Sequence, residues 1–328
     1  MKIRTYISPR DNLYLYPFAS KLDMLKLIDL KYQNEEEMFF ELIKNEIHLF
    51  IQIAPQWEWG KNVEIVSKKI MDLGILLLSG EGAMFRRFGE NHQCGADVGF
   101  YLSPWGYSGN SKIAYELTNP TKKDKFIADK IMSYQKKWDR LKNNGKILVA
   151  GQLDNDRSHF YTRNVNSNKK LILNLLQYYN KEEVVFRKHP QDLSDYSKYG
   201  ILLENSGEKI GDIIHNYAGY VSINSTSSIE AMCSGVPIFN FEIAPWSSCK
   251  VVTRNLTPQL ISYDYSLYAD DIAKLVHFHF VKTINYGNPI LNCLNFYTEY
   301  NPEYFNFNCV NRAEQGMTWN ENNRNNKY

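Results

Sequence analysis

The feature that most constrains the fold is a regular alternation of short apolar runs with amphipathic helical patterns. In the first half of the chain, residues 46–54 and 74–79 predict strands and residues 63–73 predict the helix between them. Such alternation is typical of βαβ units and a mainly parallel sheet. A second, more regular set predicts strands at 146–150, 183–187, 219–223 and 236–241, and helices at 169–179, 209–216 and 226–233. The fold class we predict is therefore α/β, with two Rossmann-like domains in tandem and a cleft between them.

The segment between the two sets predicts the domain organisation. Residues 122–144 have a long, highly charged helical pattern, which we interpret as a surface connector. We place the domain boundary near its end. The prediction is one Rossmann-like domain at 1–145, a second at 146–290, and a C-terminal extension at 291–328 that ends in a polar tail. Within the second domain, residues 270–283 predict a helix that begins with two Asp residues.

Charge and cysteine content exclude several classes of protein. The 328 residues carry 38 Lys and Arg against 36 Asp and Glu, a net charge of +2, so the chain lacks the basic surplus typical of nucleic-acid binding. Five widely spaced cysteines without a C-x-x-C pair indicate neither a zinc knuckle nor a disulfide framework. The sequence also lacks an N-terminal apolar leader and any run long enough to span a bilayer. We expect a cytoplasmic protein, and leave open whether it associates with the inner face of the cytoplasmic membrane.

Ligands of open parallel sheets bind beyond the carboxyl ends of strands. We therefore expect the binding and catalytic residues in the segments that directly follow four of the predicted strands, which we call strand exits. The exit SGEGAMFRR at 79–87 places glycines on both sides of Glu81, which predicts a tight turn. The exit GQLDNDRSHF at 151–160 contains Gln152, Asp154 and Asp156. Each has an ordinary explanation, because glycine, Asp and Asn all favour turns.

The other two exits predict anion binding. Strand 183–187 ends in Arg187, Lys188 and His189, three side chains that together can bind phosphate or carboxylate. SINSTSSIE at 222–230 leads a strand into a helix whose free amides attract anions, and the ordinary alternative is simple N-capping. The residues of this exit that could bind an anion are Ser225, Thr226 and Ser227, and Glu230 could accept a hydrogen bond from a ribose hydroxyl.

Together the four exits predict a cleft with an anion-binding floor on the second domain and a facing carboxylate from the first. That layout is typical of a two-domain glycosyltransferase that uses a nucleotide sugar. In that reading residues 1–145 form the acceptor-side domain and residues 146–290 the nucleotide-sugar-binding domain. The sequence lacks a P-loop, a G-x-G-x-x-G fingerprint, an H-E-x-x-H helix and a G-x-S-x-G elbow. Asp154 and Asp156 form a D-x-D pair, but Lys, His and a helix start can neutralise a leaving phosphate, so we expect no metal and no cofactor.

These motifs are similar to those of the capsule polysaccharide synthesis family, which includes retaining β-Kdo transferases of bacterial capsule and O-antigen assembly. The resemblance rests on GQLDNDRS, RKHP, SINSTSSIEAMCSGVPIFNFEIAPW and GEGAMFRR, and it covers roughly residues 75–250. RKHP replaces the usual K-P-H-P, and Trp-Ser-Ser-Cys after Pro245 replaces a Tyr-Ala-Gly-Trp-Gly-like loop. These departures leave the identity of the sugar open.

The resemblance implies a GT-B-like fold and the donor CMP-Kdo, a cytidine monophosphate joined to a keto-sugar acid. It implies that Asp156 is the nucleophile of a double displacement, with Asp154 as its rival, and Glu81 is our candidate general base. Gln152 and Asp154 then orient substrate. Further roles follow for the basic and hydroxyl residues: His189, Lys188, Ser225, Thr226 and Ser227 hold the phosphate, and Arg86, Arg157 or Arg187 binds the sugar carboxylate.

The expected partners are a nucleotide-sugar donor and a glycan or lipid-linked glycan acceptor in capsule or lipopolysaccharide synthesis. Two alternatives stay open. One keeps the fold and changes the donor to another CMP-linked or UDP-linked sugar. The other is a non-catalytic module that binds nucleotide or carbohydrate within a polysaccharide assembly complex.

Overall fold

The computed structural model divides the chain into two compact units. One takes in residues 1–87, 91–111 and 279–328, and the other takes in residues 88–90 and 112–278. The structure describes residues 2–8, 12–53, 63–82, 100–103, 119–154, 167–241, 244, 246–253, 264–279, 288, 290–291 and 294. Each unit contains its own sheet.

The sheet of the first unit has the order β2-β1-β3-β4-β5. Its first four strands are parallel, and β5 runs antiparallel to β4. Tyr6, Phe50 and Leu77 belong to a buried cluster that also contains Met38 and Val66 from two helices. The elements are β1 (Ile3–Ile7), α1 (Asn12–Ala19), β2 (Leu25–Leu27), α2 (Glu35–Lys44), β3 (Leu49–Ile53), α3 (Val63–Asp72), β4 (Leu76–Gly82) and β5 (Phe100–Ser103).

The predicted glycine turn around Glu81 is wrong, because β4 continues to Gly82. Gly80 lies opposite Leu102 of β5, and Glu81 lies opposite Tyr101. Glycine permits a turn without requiring one, and here an antiparallel partner supplies the backbone hydrogen bonds. That partner strand lies well beyond the local window from which the turn was predicted.

The second unit contains a six-stranded, all-parallel sheet with the order β11-β10-β9-β6-β7-β8. From β6 the chain proceeds outward to β8, and it then returns beside β6 with β9. This is the doubly wound order of Rossmann folds, with its switch point between β6 and β9. The elements are α4 (Lys122–Met132), β6 (Ile147–Ala150), α5 (Asn168–Leu175), β7 (Val184–Arg187), β8 (Leu202–Leu203), α6 (Ile210–Ile213), β9 (Gly219–Ser222), α7 (Ser227–Ser234), β10 (Ile238–Asn240), β11 (Val252–Thr253) and α8 (Tyr265–His279), with short 3-10 turns at Ser197–Tyr199 and Ile214–Asn216.

The core of this sheet explains why its strands read as continuous apolar runs. Every residue of β6 and β9 is buried, as expected for parallel strands covered on both faces. Val149 and Phe186 belong to the same buried cluster as Leu171 and Leu175 of α5. Helix α7 is buried along its whole length and contacts β9 and β10. Gly235 ends it with a φ of 80°, the left-handed conformation that glycine accepts without strain.

Two helix predictions need correction. The helix predicted over 122–144 ends at Met132, because the chain beyond it is bound elsewhere: the Trp138 amide donates to the Ser234 carbonyl and the Trp138 indole to the Tyr217 carbonyl. The helix predicted over 270–283 begins at Tyr265. Asp271 therefore lies within α8, 1% exposed, and its carboxylate accepts a hydrogen bond from the Val251 amide.

Within the described part of the chain, none of the helices combines the length and the apolar character needed to cross a bilayer.

Candidate active site at the carboxyl edge of the second sheet

A pair of side-chain amides closes the switch point of the second sheet. Gln152 follows β6 and Asn224 follows β9, and both are buried. The Gln152 Nε2 donates to Asn224 Oδ1 at 2.7 Å, and the Asn224 amide donates to Gln152 Oε1 at 3.1 Å. We call this reciprocal pair the amide clasp. It fixes the two exits between which a ligand of a doubly wound sheet is expected.

Asn168, the first residue of α5, joins the β6 exit to the loop after β7. It is fully buried, and its Oδ1 accepts the Gln152 amide at 3.0 Å. Its Nδ2 lies 2.6 Å from the Gln152 carbonyl and 2.8 Å from the Tyr196 hydroxyl, with Asp192 Oδ2 at 3.1 Å. The role of Asn168 was not predicted from the sequence, because an Asn after Ser at a helix start looks like an ordinary cap. Ser167 is in fact the cap.

Asp192 and Tyr196 complete this network with opposite protonation preferences. The Tyr196 hydroxyl donates to Asp192 Oδ2 at 2.7 Å, and the Ser194 amide donates to Asp192 Oδ1 at 2.9 Å. Burial by itself would raise the pKa of Asp192, but the bonds from Tyr196 and Ser194, together with nearby Lys188, hold it below its ordinary value. Burial and the bond to Asp192 raise the pKa of Tyr196 to about 12. At neutral pH the pair is therefore a carboxylate and a neutral phenol.

The predicted cations after β7 are half-buried and make local contacts. The Arg187 guanidinium donates to the Glu208 carbonyl, on the side of the edge strand β8. Lys188 Nζ donates to the Ser194 carbonyl at 2.9 Å. His189 Nδ1 accepts the Gln191 amide at 3.2 Å, so a neutral His189 ring carries its proton on Nε2. That second nitrogen is then a hydrogen-bond donor.

The serine-rich exit after β9 is divided between an inner and an outer part. The Ser227 hydroxyl is buried and lies 2.6 Å from the Tyr220 hydroxyl and 2.7 Å from the Ser225 hydroxyl. Thr226 is the N-cap of α7, and its side chain makes no capping bond. The half-exposed Ser225 and Thr226 thus form the outer part at the start of α7.

Around this exit, Glu230 lies in a different setting from the one predicted, and a buried group of three polar side chains was not predicted. Glu230 is 5% exposed, and its carboxyl carbon lies 3.5 Å from the point where a Cβ on Gly211 would stand, so it is buried beside α6. Behind the exit, the Ser222 and Ser228 hydroxyls lie 3.1 Å apart, and each donates to Asn240 Oδ1 at 3.1 Å. Nothing in the sequence separates these inner hydroxyls from the outer ones.

The acidic candidates differ in how much of them the structure describes. Asp154 is exposed, and its Oδ1 accepts the Asn168 amide at 2.9 Å. Asp156, Arg157 and Arg86 lie outside the described residues, and of Glu81 only the backbone in β4 is described. In the described ranges, no three side chains of His, Cys, Asp or Glu come together as metal ligands would.

Comparison with known proteins identifies the fold. No family model and no curated protein matches the sequence. Among solved structures, Thermosulfurimonas dismutans KpsC β-Kdo 2,7 transferase matches with a TM-score of 0.58 at 14% identity, covering 90% of this chain and 98% of that one. KpsC β-Kdo 2,4 transferase from the same organism matches with a TM-score of 0.53 at 10% identity, covering 83% and 90%. The chain therefore has the α/β, GT-B-like fold of the β-Kdo transferases that its motifs resemble.

Proposed function

We propose that the chain is a glycosyltransferase with a nucleotide-sugar donor, and that it moves β-Kdo from CMP-Kdo to a glycan or lipid-linked glycan of capsule or lipopolysaccharide. One observation carries the proposal. The three exits whose motifs resemble the Kdo transferases follow β9, β6 and β7, which are adjacent strands of one parallel sheet, in a fold similar to KpsC. Chemistry assembled from adjacent strand ends is what a doubly wound sheet provides.

We assign the donor phosphate to the two groups that flank the β6 exit. Lys188 and His189 follow β7, and Ser225 and Thr226 precede α7 after β9. A cation, an imidazole N–H and helix-start amides stabilise the charge that develops on a departing CMP. Ser227 acts from behind, since its hydroxyl bonds to Ser225 and Tyr220. Because CMP carries a single phosphate, no divalent cation is needed, and we assign the donor site no metal.

We assign the nucleophile to Asp156 rather than to Asp154. The Asp154 carboxylate already accepts the Asn168 amide and so anchors the start of α5. In the first step, the Asp156 carboxylate attacks the anomeric carbon as the bond to the phosphate oxygen breaks, and CMP leaves with the electron pair. In the second step, Glu81 removes the proton of the acceptor hydroxyl, whose oxygen displaces Asp156 from the anomeric carbon. Two inversions retain the configuration.

The sugar carboxylate goes to Arg86 or Arg157 in this proposal. Arg187 was the third candidate; it donates from one nitrogen to the Glu208 carbonyl beside the edge strand, and we rank it behind the other two because that bond directs its guanidinium toward β8. A bidentate arginine–carboxylate pair would distinguish an acid sugar from a neutral one. The ribose contact of Glu230 stays a prediction.

Intact-protein mass spectrometry tests the nucleophile directly. Wild-type protein is exposed to CMP-Kdo without acceptor, quenched in acid and weighed. We expect the mass of one Kdo to be added, the adduct to be absent in Asp156→Asn, and CMP to stabilise that variant against heat as it does the wild type. Asp154→Asn is the matched control. Its amide oxygen can still accept the Asn168 amide, so its adduct should persist.

Other outcomes would redirect the proposal. An adduct lost only in Asp154→Asn would exchange the two carboxylates. CMP release without any adduct, with an inverted product, would refute the double displacement. Release from another CMP-linked or UDP-linked sugar and none from CMP-Kdo would keep the transferase and replace the donor. CMP binding without turnover of any nucleotide sugar would favour the non-catalytic module.

A further inference from the structure

The positive charge of the chain is concentrated in one short segment. Residues 122–142 contain eight Lys and Arg and three Asp, a net charge of +5, whereas the whole chain carries +2. The rest of the chain is therefore net negative. Of the three acids, Asp124 is buried and bonded to His277, so it does not offset the basic surface.

The end of this segment is a turn that holds a leucine in solvent. Leu141 is 92% exposed and lies between Arg140 and Lys142. The Leu141 amide donates to Asp139 Oδ1 at 2.9 Å, and the Lys142 amide donates to the Asp139 carbonyl at 3.1 Å. These two hydrogen bonds to Asp139 fix the backbone of the turn, so Leu141 is held in solvent by an ordered turn.

A tryptophan attaches this turn to the body of the second unit. The Trp138 amide donates to the Ser234 carbonyl at 2.8 Å, and its indole Nε1 donates to the Tyr217 carbonyl at 2.7 Å. The turn is thus held against the end of α7 and the start of β9. It presents its side chains as part of a folded surface.

A cavity of about 570 Å³ lies beside the turn. Backbone bonds join the segments that precede β6 and β9, from Asn144 to Asn216 and from Ala218 to Lys146, each at 2.8 Å. The cavity is therefore at the amino edge of the sheet, opposite the candidate active site. Its lining residues are mostly cationic or aromatic: Lys137, Trp138, Asp139, Arg140, Lys142, His215 and Asn216.

We propose that this basic turn, residues 137–142, docks the protein on a bilayer that contains anionic phospholipid. Lys137, Arg140 and Lys142 outnumber Asp139, which pairs with Lys142 at 3.3 Å, so the turn has a net charge of +2 and attracts the negative surface. The cavity that these residues line receives a phosphodiester headgroup. Leu141 enters the interface between lipid and water. The exposed leucine favours a lipid surface over an acidic glycan, because a glycan in water offers no apolar phase for that side chain. The inference does not depend on the proposed transferase activity.

Sedimentation with vesicles tests this surface. The full chain is mixed with vesicles of phosphatidylglycerol and phosphatidylcholine, or of phosphatidylcholine alone, and the bound fraction is measured. We expect binding only to the anionic vesicles, and its loss as salt rises from about 0.1 to about 0.5 M. Arg140→Gln with Lys142→Gln should weaken the partition coefficient about 30-fold, and Leu141→Ser about tenfold.

Matched controls come from the same unit. Leu193 is 95% exposed in the loop after β7, so Leu193→Ser removes an equally exposed leucine. Lys169 and Lys170 are exposed on α5, so the double change of both to Gln removes the same charge elsewhere. Neither control should change vesicle binding. Equal losses in test and control variants, or no binding of the wild type to anionic vesicles, would overturn the proposal.

Competition with soluble anions tests whether the turn requires a lipid surface. Inorganic phosphate at the same ionic strength should not release the protein from vesicles, because it provides no apolar phase. The alternative is tested with a soluble acidic oligosaccharide such as an oligogalacturonate. If the wild type binds it, the Arg140 and Lys142 variant does not, and vesicles bind no protein, the turn binds a glycan. That outcome would refute the lipid proposal.

Discussion

Replacement of Asn168 by alanine should destabilise the second unit more than any surface change on α5. The side chain bonds both backbone groups of Gln152 and also contacts Asp192 and Tyr196, and it is fully buried. Truncation leaves the Gln152 amide and carbonyl without these partners and removes one donor from Asp192. Since each unsatisfied buried group costs about 1–3 kcal/mol, and a water entering the space would recover part, we expect a loss of about 3–5 kcal/mol.

Urea denaturation measures this loss. The wild type, Asn168→Ala and the exposed-residue control Asn180→Ala are unfolded side by side near neutral pH, and the shift in midpoint is multiplied by a common m-value. The control should change the free energy of unfolding by less than about 0.5 kcal/mol. A loss below about 1 kcal/mol in Asn168→Ala would refute the claim that this residue holds the exits together.

Asn168→Asp distinguishes hydrogen bonding from mere volume. The substitution keeps the shape but places a second carboxylate about 3 Å from Asp192 Oδ2. Two such carboxylates disfavour joint ionisation, so the folded state binds a proton more tightly than the unfolded state does. Stability relative to the wild type should therefore fall as pH rises above about 4, the ordinary pKa of an Asp, and should partly return at lower pH. A difference from the wild type that does not change with pH would contradict the placement of these two residues.

Two further predictions concern positions where the structure leaves little freedom. A Cβ on Gly151 would lie 2.5 Å from the Phe186 ring and 3.2 Å from the Arg187 carbonyl, so Gly151→Ala should lower the free energy of unfolding by about 1–3 kcal/mol. Adding Phe186→Leu should lessen that penalty, and equal stability of Gly151→Ala and wild type in urea would contradict the contact. Burial raises the pKa of Asp271 to about 6, above the unfolded value near 4, so this carboxyl makes the fold less stable as pH rises from about 4 to about 6. Asp271→Asn keeps an acceptor for the Val251 amide. In denaturation curves measured across this pH range, the variant should lack up to about 3 kcal/mol of the decline seen in the wild type. An unchanged pH profile would argue against a buried acid.

The sequence predicted the four inner strands of the second sheet, β10, β9, β6 and β7, because each is an apolar run bounded by polar residues. It did not predict the edge strands β8 and β11, which are two residues long. It also predicted which residues follow β6, β7 and β9, since the order of elements in a parallel sheet places their carboxyl ends at one edge. It did not predict β1, whose partner β3 lies far along the chain and whose own pattern is short. The roles of Asn168 and Tyr196 were also out of reach, because they depend on contacts between residues 16 to 28 positions apart that no local pattern records.

The end of α4 illustrates the same limit. Helical periodicity continues beyond Met132, yet the chain turns away, since Trp138 satisfies its hydrogen bonds with Ser234 and Tyr217. Local propensity is a weak preference that tertiary contacts override. What the sequence showed correctly was the unusual density of charge in this segment.

Under the proposed function, the amide clasp affects how donor selectivity could change between related proteins. Gln152 and Asn224 join the two central exits through neutral groups alone, so the clasp itself would exert little preference for the charge of a sugar bound beside it. Discrimination then belongs to the outer ring of basic and hydroxyl side chains on separate loops. Substitutions confined to Lys188, His189, Ser225 and Thr226 would then change which donor is accepted, while the network of Asn168, Asp192 and Tyr196 that supports the fold is left intact.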